Sequence, residues 1–167
     1  TRLIKLCNFF QNFFGIIFPS HIYNNSYKSS KVLNMEMCAN TRDINTSQLT
    51  IPQSILNSWG KIVQFIAELL NTEISFITKI DHNVLTVLKL NREEFRGIHA
   101  GFIHKLEGTL CEVTINNPDS YHYIRDVRKD PKWQHNWETQ NSIPTYLGYP
   151  LCWPDNSIFG TCCVENT

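Results

Sequence analysis

Long apolar runs are missing from this chain. The most hydrophobic stretch, LIKLCNFFQNFFGIIF from Leu3 to Phe18, is broken by Lys5, Asn8, Gln11 and Asn12. It falls short of the ~20 predominantly apolar residues that carry a helix across a ~30 Å hydrocarbon layer. Net charge is missing as well, because fifteen Lys and Arg match fifteen Asp and Glu. Arg2, Lys5, Lys28 and Lys31 all precede the first acid, Glu36, so the rest of the chain sets eleven bases against fifteen acids. Nucleic-acid phosphates are held by clustered Lys and Arg, and a mildly acidic body of this kind predicts no nucleic-acid partner. Paired CxxC knuckles are absent, and His104 and Cys111 have no further ligands at metal-binding spacing, so no metal site is expected. The six cysteines, Cys7, Cys38, Cys111, Cys152, Cys162 and Cys163, lack the dense spacing of a secreted disulfide scaffold. Free thiols in a cytoplasmic protein are the expectation. No glycine-rich phosphate loop is present, nor a nucleophile grouped with a base and an orienting residue.

What remains is material for one globular domain: 167 residues, 42% of them hydrophobic, enough for a sizeable core. Residues 1–50 stand apart. The apolar pairs of Leu3–Phe18 recur at helical period, and that segment is an interfacial or subunit-pairing helix, the tail of a lost membrane anchor, or part of non-native upstream sequence. The chain's two methionines, Met35 and Met37, sit just before the polar linker CANTRDINTSQLT. From Ile51 the pattern changes. IPQSILNSWGKIVQFIAELLN predicts an amphipathic helix with Thr50 as N-cap, Pro52 in its first turn, and apolar residues at Ile55, Trp59, Ile62, Val63, Ile66, Ala67, Leu69 and Leu70. Ile74–Ile80 and Val84–Leu90 flank the turn tripeptide DHN and read as a hairpin whose apolar residues lie on both faces, which implies a sheet covered on two sides. A short helix follows Gly108, with Leu110, Val113 and Thr114 turned inward. YHYIRDV reads as a strand, and RKDPKWQHNWETQNS as a loosely helical excursion begun by Asp130 and Pro131. Two final strands are joined at WPDNS, where Pro154, Asp155 and Asn156 suit a tight turn.

The stretches WGKIVQFIAELLNTEISFI, LEGTLCEVTI, IRDVRKDPKW and YLGYPLCWPDNSIFGTCCVEN, spread over Trp59 to Asn166, resemble a GAF domain. More narrowly, they are similar to the GAF sensor modules that precede histidine kinase or diguanylate cyclase output domains in bacteria. The resemblance implies an α+β fold, an antiparallel sheet with helices on both faces, over residues 51–167. The family pattern continues into a further helix after the last strand, so the C-terminal helix is expected to be truncated here. Asn156 stands where the family usually has glycine.

Alternation along the last hairpin assigns its two faces. Leu147, Tyr149, Leu151 and Trp153 point to a helix-packed core, while Tyr146, Gly148, Pro150 and Cys152 share the other face with Thr161 and Cys163. Small residues there leave room, and a pocket over this face, closed by the segments around Cys111 and Trp133, is the expected ligand site. Its predicted lining is Cys111, Trp133, Tyr146, Gly148, Thr161 and Cys163, set against ordinary core packing for the same residues. Cys111 is read either as a reactive thiol near His104 and His99 or as a buried inert one. Light-sensing relatives attach a bilin at a cysteine commonly followed by His, whereas Glu112 follows here. Asp126 is expected to cap the excursion, and Trp133 and Trp137 to pack as a helical pair. By resemblance the module is a non-catalytic small-molecule or redox sensor, with no cofactor specified. It pairs as a homodimer through flanking helices and signals to an output domain in the same polypeptide. The alternative is a thiol-dependent reductase of the free methionine sulfoxide type using Cys111.

Overall fold

The computed structural model describes residues 51–118, 120–153 and 155–167. The expectations for Leu3–Phe18, the 1–50 segment, Thr50 and Pro154 lie outside the described residues. Helix α1 (Gln53–Leu70) starts after Pro52, which stands at the N-cap with extended backbone and no side-chain cap. Its inward stripe is Ile55, Trp59, Ile62, Val63, Ile66 and Ala67, steps of three and four that place one apolar face on the sheet. Leu69, expected on that stripe, is instead exposed, as is Phe65 one turn earlier. Asn71 takes the left-handed conformation that ends the helix, and Thr72 N–H donates back to the Ala67 carbonyl at 3.0 Å.

The chain then runs through β1 (Ile74–Asp81), β2 (Val84–Leu90), a small ribbon of β3 (Glu94–Phe95) and β4 (Ile98–His99), and β5 (Ile103–Lys105). Helix α2 (Leu110–Ile115) and β6 (His122–Ile124) follow. Two 3-10 turns, Val127–Lys129 and Pro131–Trp133, lead to the short helix α3 (Trp137–Gln140), and β7 (Thr145–Cys152) and β8 (Ile158–Asn166) complete the order. Six strands form one antiparallel sheet in the order β5-β2-β1-β8-β7-β6. β8 is thereby clamped between β1, some eighty residues earlier, and β7. The turn between β7 and β8 is closed by Trp153 N–H donating to the Ser157 carbonyl at 2.8 Å. Asn156 there has φ of 69°, a conformation that asparagine tolerates in glycine's place.

Two cores follow from strand alternation. On one face α1 packs over Ile77, Tyr149, Leu151, Trp153, Phe159, Cys162 and Val164. Trp59, 1% exposed, meets the edge of Phe159 at 5.6 Å, and Phe159 meets Trp153 at 4.9 Å, within the range of favourable edge-to-face pairs. On the other face α2 and the irregular segments cover Ile74, Phe76, Leu85, Val87, Tyr146 and Cys163. The expected α+β sheet with helices on both faces is what the chain forms. In α2, Leu110, Cys111 and Thr114 are buried while Val113 is only half-buried. A six-residue helix lying on a sheet presents one narrow face, and Val113 falls at its side.

Asp126 and Asp130 cap the two 3-10 turns, accepting from Arg128 N–H and Lys132 N–H at 3.1 Å each. Trp133 and Trp137 do not pack as a helical pair, because the backbone breaks between them. Trp133 ends the second 3-10 turn against His122 and Lys132, and Trp137 opens α3 against Phe102 and His104.

Gly160 fixes how closely β1 and β8 approach. A β-carbon there would stand 2.0 Å from the Thr78 carbonyl oxygen, and a backbone atom cannot rotate away. Gly160→Ala is expected to cost at least about 3 kcal/mol, beyond the usual overpacking range of about 1–3 kcal/mol. The measurement is the urea-unfolding free energy. An unchanged value would mean that the two strands do not meet in this register.

Candidate functional site

The site begins with α2, whose start is set by local chemistry. Gly108 has φ of +82°. Thr109 then caps the helix by accepting from Glu112 N–H at 3.3 Å, and Glu112 reaches back to accept from Gly108 N–H at 2.9 Å. This reciprocal arrangement is close to a capping box. Another free N–H of the first turn, that of Leu110, donates to Glu138 Oε1 at 2.9 Å, which ties α3 to α2. With its start fixed, α2 lowers Cys111 and Thr114 onto the sheet.

There the predicted residues meet a tightly bonded layer. Cys111 Sγ lies 3.5 Å from Cys163 Sγ and 3.4 Å from Thr161 Oγ1. Tyr146 Oη stands 3.4 Å from Cys163 Sγ and 2.7 Å from Thr114 Oγ1. Thr161 Oγ1 is 2.7 Å from Thr78 Oγ1, and the Thr114 hydroxyl donates to the Leu110 carbonyl. Cys111, Tyr146, Thr161 and Cys163 are thus brought together, with Thr78 and Thr114 joining them. The contact with Cys163 and then burial push the Cys111 thiol well above its ordinary range. Burial, followed by the two thiols, does the same to the Tyr146 phenol. A 3%-exposed thiol in this state is a poor nucleophile, since the thiolate is the reactive form.

Gly148 does not open a cavity. A β-carbon on it would lie 2.2 Å from Tyr146 Oη and 2.5 Å from Thr114 Oγ1, so its missing side chain is the space that the tyrosine hydroxyl fills. The expectation of room over this residue is therefore corrected. Trp133 is not in this layer either. It borders a separate, open groove on the surface with His122, Arg125, Lys129 and Lys132, because the 3-10 turn that carries it follows β6 at the sheet edge.

A partly open space lies further along the same face, toward β1 and β2. It is a cavity of about 30 Å³, room for about two waters at ~10–15 Å³ each. Of the six predicted lining residues only Cys111 borders it. Phe76, Leu85, Val87 and Ile98 make an apolar wall, and Thr109, Glu138 and Glu165 supply polar groups. Phe102, His104 and Trp137, all half-buried, rim the opening. Phe102 stacks on His104 at 6.0 Å, and Trp137 meets the two rings at 6.1 and 5.5 Å. His104 Nδ1 donates to the Lys105 carbonyl, which fixes the ring.

Two carboxyls at a largely apolar cavity are the least expected feature. Glu138 and Glu165 are each 2% exposed. Glu138 is well held, accepting from Leu110 N–H and from Asn136 Nδ2 at 2.7 Å. Burial nevertheless raises it to about 7. Glu165 is also pushed well above the carboxylate range, first by burial and then by the charge of Glu138 and Cys111. Its Oε2 is buried and has no hydrogen-bond partner, a deficit that typically costs about 1–3 kcal/mol. Among the described residues no group of three or more His, Cys, Asp or Glu is arranged to hold a metal. Cys111, Cys162 and Cys163 are free thiols, whereas Cys152 is disulfide-bonded, which corrects the expectation of a free thiol there. Cys162 lies on the α1 face, opposite Cys163.

No protein-family model matches the chain, and no curated protein matches it. Solved structures do. The chain is similar to the GAF domain of a phosphoenolpyruvate-protein phosphotransferase from Acinetobacter, at 12% identity and a TM-score of 0.51 over 66% of this chain and 65% of that one. It is similar to the GAF domain of a two-component sensor histidine kinase from Bacillus halodurans, at 12% identity and 0.52 over 66% of this chain and 76% of that one. A type II free methionine-R-sulfoxide reductase from Thermoplasma acidophilum is similar at 14% identity and 0.52, over 66% and 72%. Sequence identities this low speak to architecture alone, and the architecture is the GAF fold. Among the described residues no helix is long and apolar enough to cross a membrane.

Two outcomes test this geometry. Gly148 lacks the positive φ found at Gly97, Gly101 and Gly108, so Gly148→Ala reports packing alone and should lower the unfolding free energy by about 1–3 kcal/mol. A neutral result would show that the tyrosine hydroxyl does not sit there. The second outcome concerns pH. The folded chain holds Glu138 protonated between its ordinary value of 4.5 and about 7, whereas the unfolded chain does not. Stability therefore falls as pH rises through that window, by on the order of 1–3 kcal/mol, and levels off above it. Asp126, lowered to about 2 first by the Arg128 side chain, acts in the opposite sense and at far lower pH. Urea midpoints at pH 5 and 7.5 should show the fall, and Glu165→Gln should reduce it.

Proposed function

We propose that this chain is a non-catalytic sensing domain that takes a small molecule into the cavity beneath Phe102, His104 and Trp137. Its occupancy is read out through α1 and through an output domain of the kinase or cyclase type in the same bacterial polypeptide, with two copies pairing through flanking helices. The observation that carries this reading is a concave, mostly apolar space with a few convergent polar groups, one of them an unpartnered buried carboxyl oxygen. Such a combination is the usual form of a ligand pocket. The GAF domain of a sensor histidine kinase among the solved structures similar to this chain supports it.

A second reading has one specific observation in its favour. Cys111 and Cys163 are 3.5 Å apart, and a protein with the same fold is a methionine sulfoxide reductase. In that reaction two thiols would become a disulfide as one sulfoxide oxygen leaves as water, and an external dithiol would restore them. Burial and the raised Cys111 thiol argue against it.

The deciding experiment combines binding and turnover. A chemically varied fragment set should contain compounds that shift the amide resonances of Val87, Cys111 and Glu165. A compound at a hundredfold its Kd should add about 2.7 kcal/mol to the unfolding free energy. Val87→Phe, which fills the cavity, should abolish both effects. Dithiothreitol-dependent turnover of free methionine sulfoxide that disappears in Cys111→Ser would overturn the sensing reading in favour of the reductase.

A further inference from the structure

We infer that the cavity selects a small organic cation, a primary ammonium or amidinium group on a short apolar or aromatic tail. The inference rests on the ligand-binding reading above and specifies the chemistry of that same site. Glu165 carries it. Its carboxyl is almost fully buried, its Oε2 has no partner, and it borders the cavity alongside Glu138. Glu138 takes its donors from the protein itself, Leu110 N–H, Asn136 Nδ2 and its own backbone N–H, so Glu165 is the acid with an oxygen left without a partner. A buried carboxyl oxygen without a partner is rare in a folded chain, and once Glu165 gives up its proton to an incoming cation both of its oxygens accept from that cation's donors.

Sign follows from the same residues. An anion would enter against two carboxyls with no Lys or Arg among the cavity's lining. A neutral alcohol has a single O–H to give, whereas an ammonium brings three N–H donors and a charge that favours the ionised form of both acids. Size follows from the volume. About 30 Å³ accommodates a head group, and the tail must leave between Phe102, His104 and Trp137. Aromatic faces at the mouth are also favourable company for a passing cation. The remaining titratable groups facing the acids are Cys111 on α2, Tyr146 on β7 and His104 on β5. Contact with Cys163 and then burial keep the Cys111 thiol protonated, and burial does the same for the Tyr146 phenol. Neither therefore supplies the proton displaced by a cation, and loss of that release in Glu165→Gln distinguishes the carboxyl from His104 as its source.

The test uses the 167-residue chain with phenethylamine and n-butylamine as cations, phenethyl alcohol and n-butanol as neutral counterparts, and phenylacetate as the anion. Affinities come from calorimetry at pH 6.5 in two buffers of different ionisation enthalpy, and the location of binding from amide shifts. The amines should bind at least tenfold more tightly than the alcohols, with proton release on binding, and phenylacetate should not bind. Glu165→Gln should remove most of the amine preference and leave the weak alcohol binding in place. Glu138→Gln should diminish it too, which keeps the assignment testable if one variant folds poorly. Alcohols or phenylacetate binding in the cavity as tightly as the amines would overturn the cation assignment while leaving the ligand-pocket reading intact. Amine preference without proton release would place the cation elsewhere and overturn it as well. If no probe of any charge perturbs the cavity, both readings fall.

Discussion

The pairing of β8 with β1 is the constraint on which the rest of the structure depends. It joins segments some eighty residues apart, it completes the middle of the sheet, and it sets which side chains share a face. In this register Ile74 faces Glu165, Phe76 faces Cys163 and Thr78 faces Thr161. A shift by one residue would exchange the two cores, because strand side chains alternate. Gly160 allows the close approach, and the Thr78 hydroxyl strengthens it by accepting from Thr161 N–H at 3.0 Å. Both the bonded thiol layer and the position of Glu165 at the cavity are therefore products of one strand alignment.

Much of this was legible in the sequence. The helical stripe from Ile55 to Ala67, the hairpin around DHN and the opposed faces of the last two strands all follow from period and turn chemistry. The placement of Tyr146, Thr161 and Cys163 on one inner surface follows from the same alternation, whereas Cys111 reaches it from the short helix expected to close over that face. What was not legible was how that surface is filled. A glycine beside a tyrosine two residues away reads as a gap or as a seat for the ring, and only the rotamer of Tyr146 decides. Trp133 was misplaced because the turn of the backbone after Asp130 is set by capping, which carries no information about facing direction.

The two acids show different limits. Glu165 follows Thr161 and Cys163 at steps of two, so its inward position was available from the pattern in GTCCVEN. Charge near the chain end draws the eye to solvent instead. Glu138 lies in a polar stretch without periodicity, and nothing local distinguishes it from its exposed neighbours. Its burial arises from Leu110 N–H, a donor that α2 leaves free and that only the folded chain brings within reach. Burying two carboxyls weakens the fold at neutral pH, and a protein that retains such a cost commonly does so at a functional site.

The alternation of β8 also separates what can change from what cannot. Thr161, Cys163 and Glu165 face the inner surface, while Cys162 and Val164 press against α1. Their side chains leave the same backbone in opposite directions and share few neighbours, so substitutions on the two faces should combine almost additively. Divergence of the chemistry of the inner surface can therefore proceed by exchanging every second residue of one strand, while the residues between them go on holding the helix.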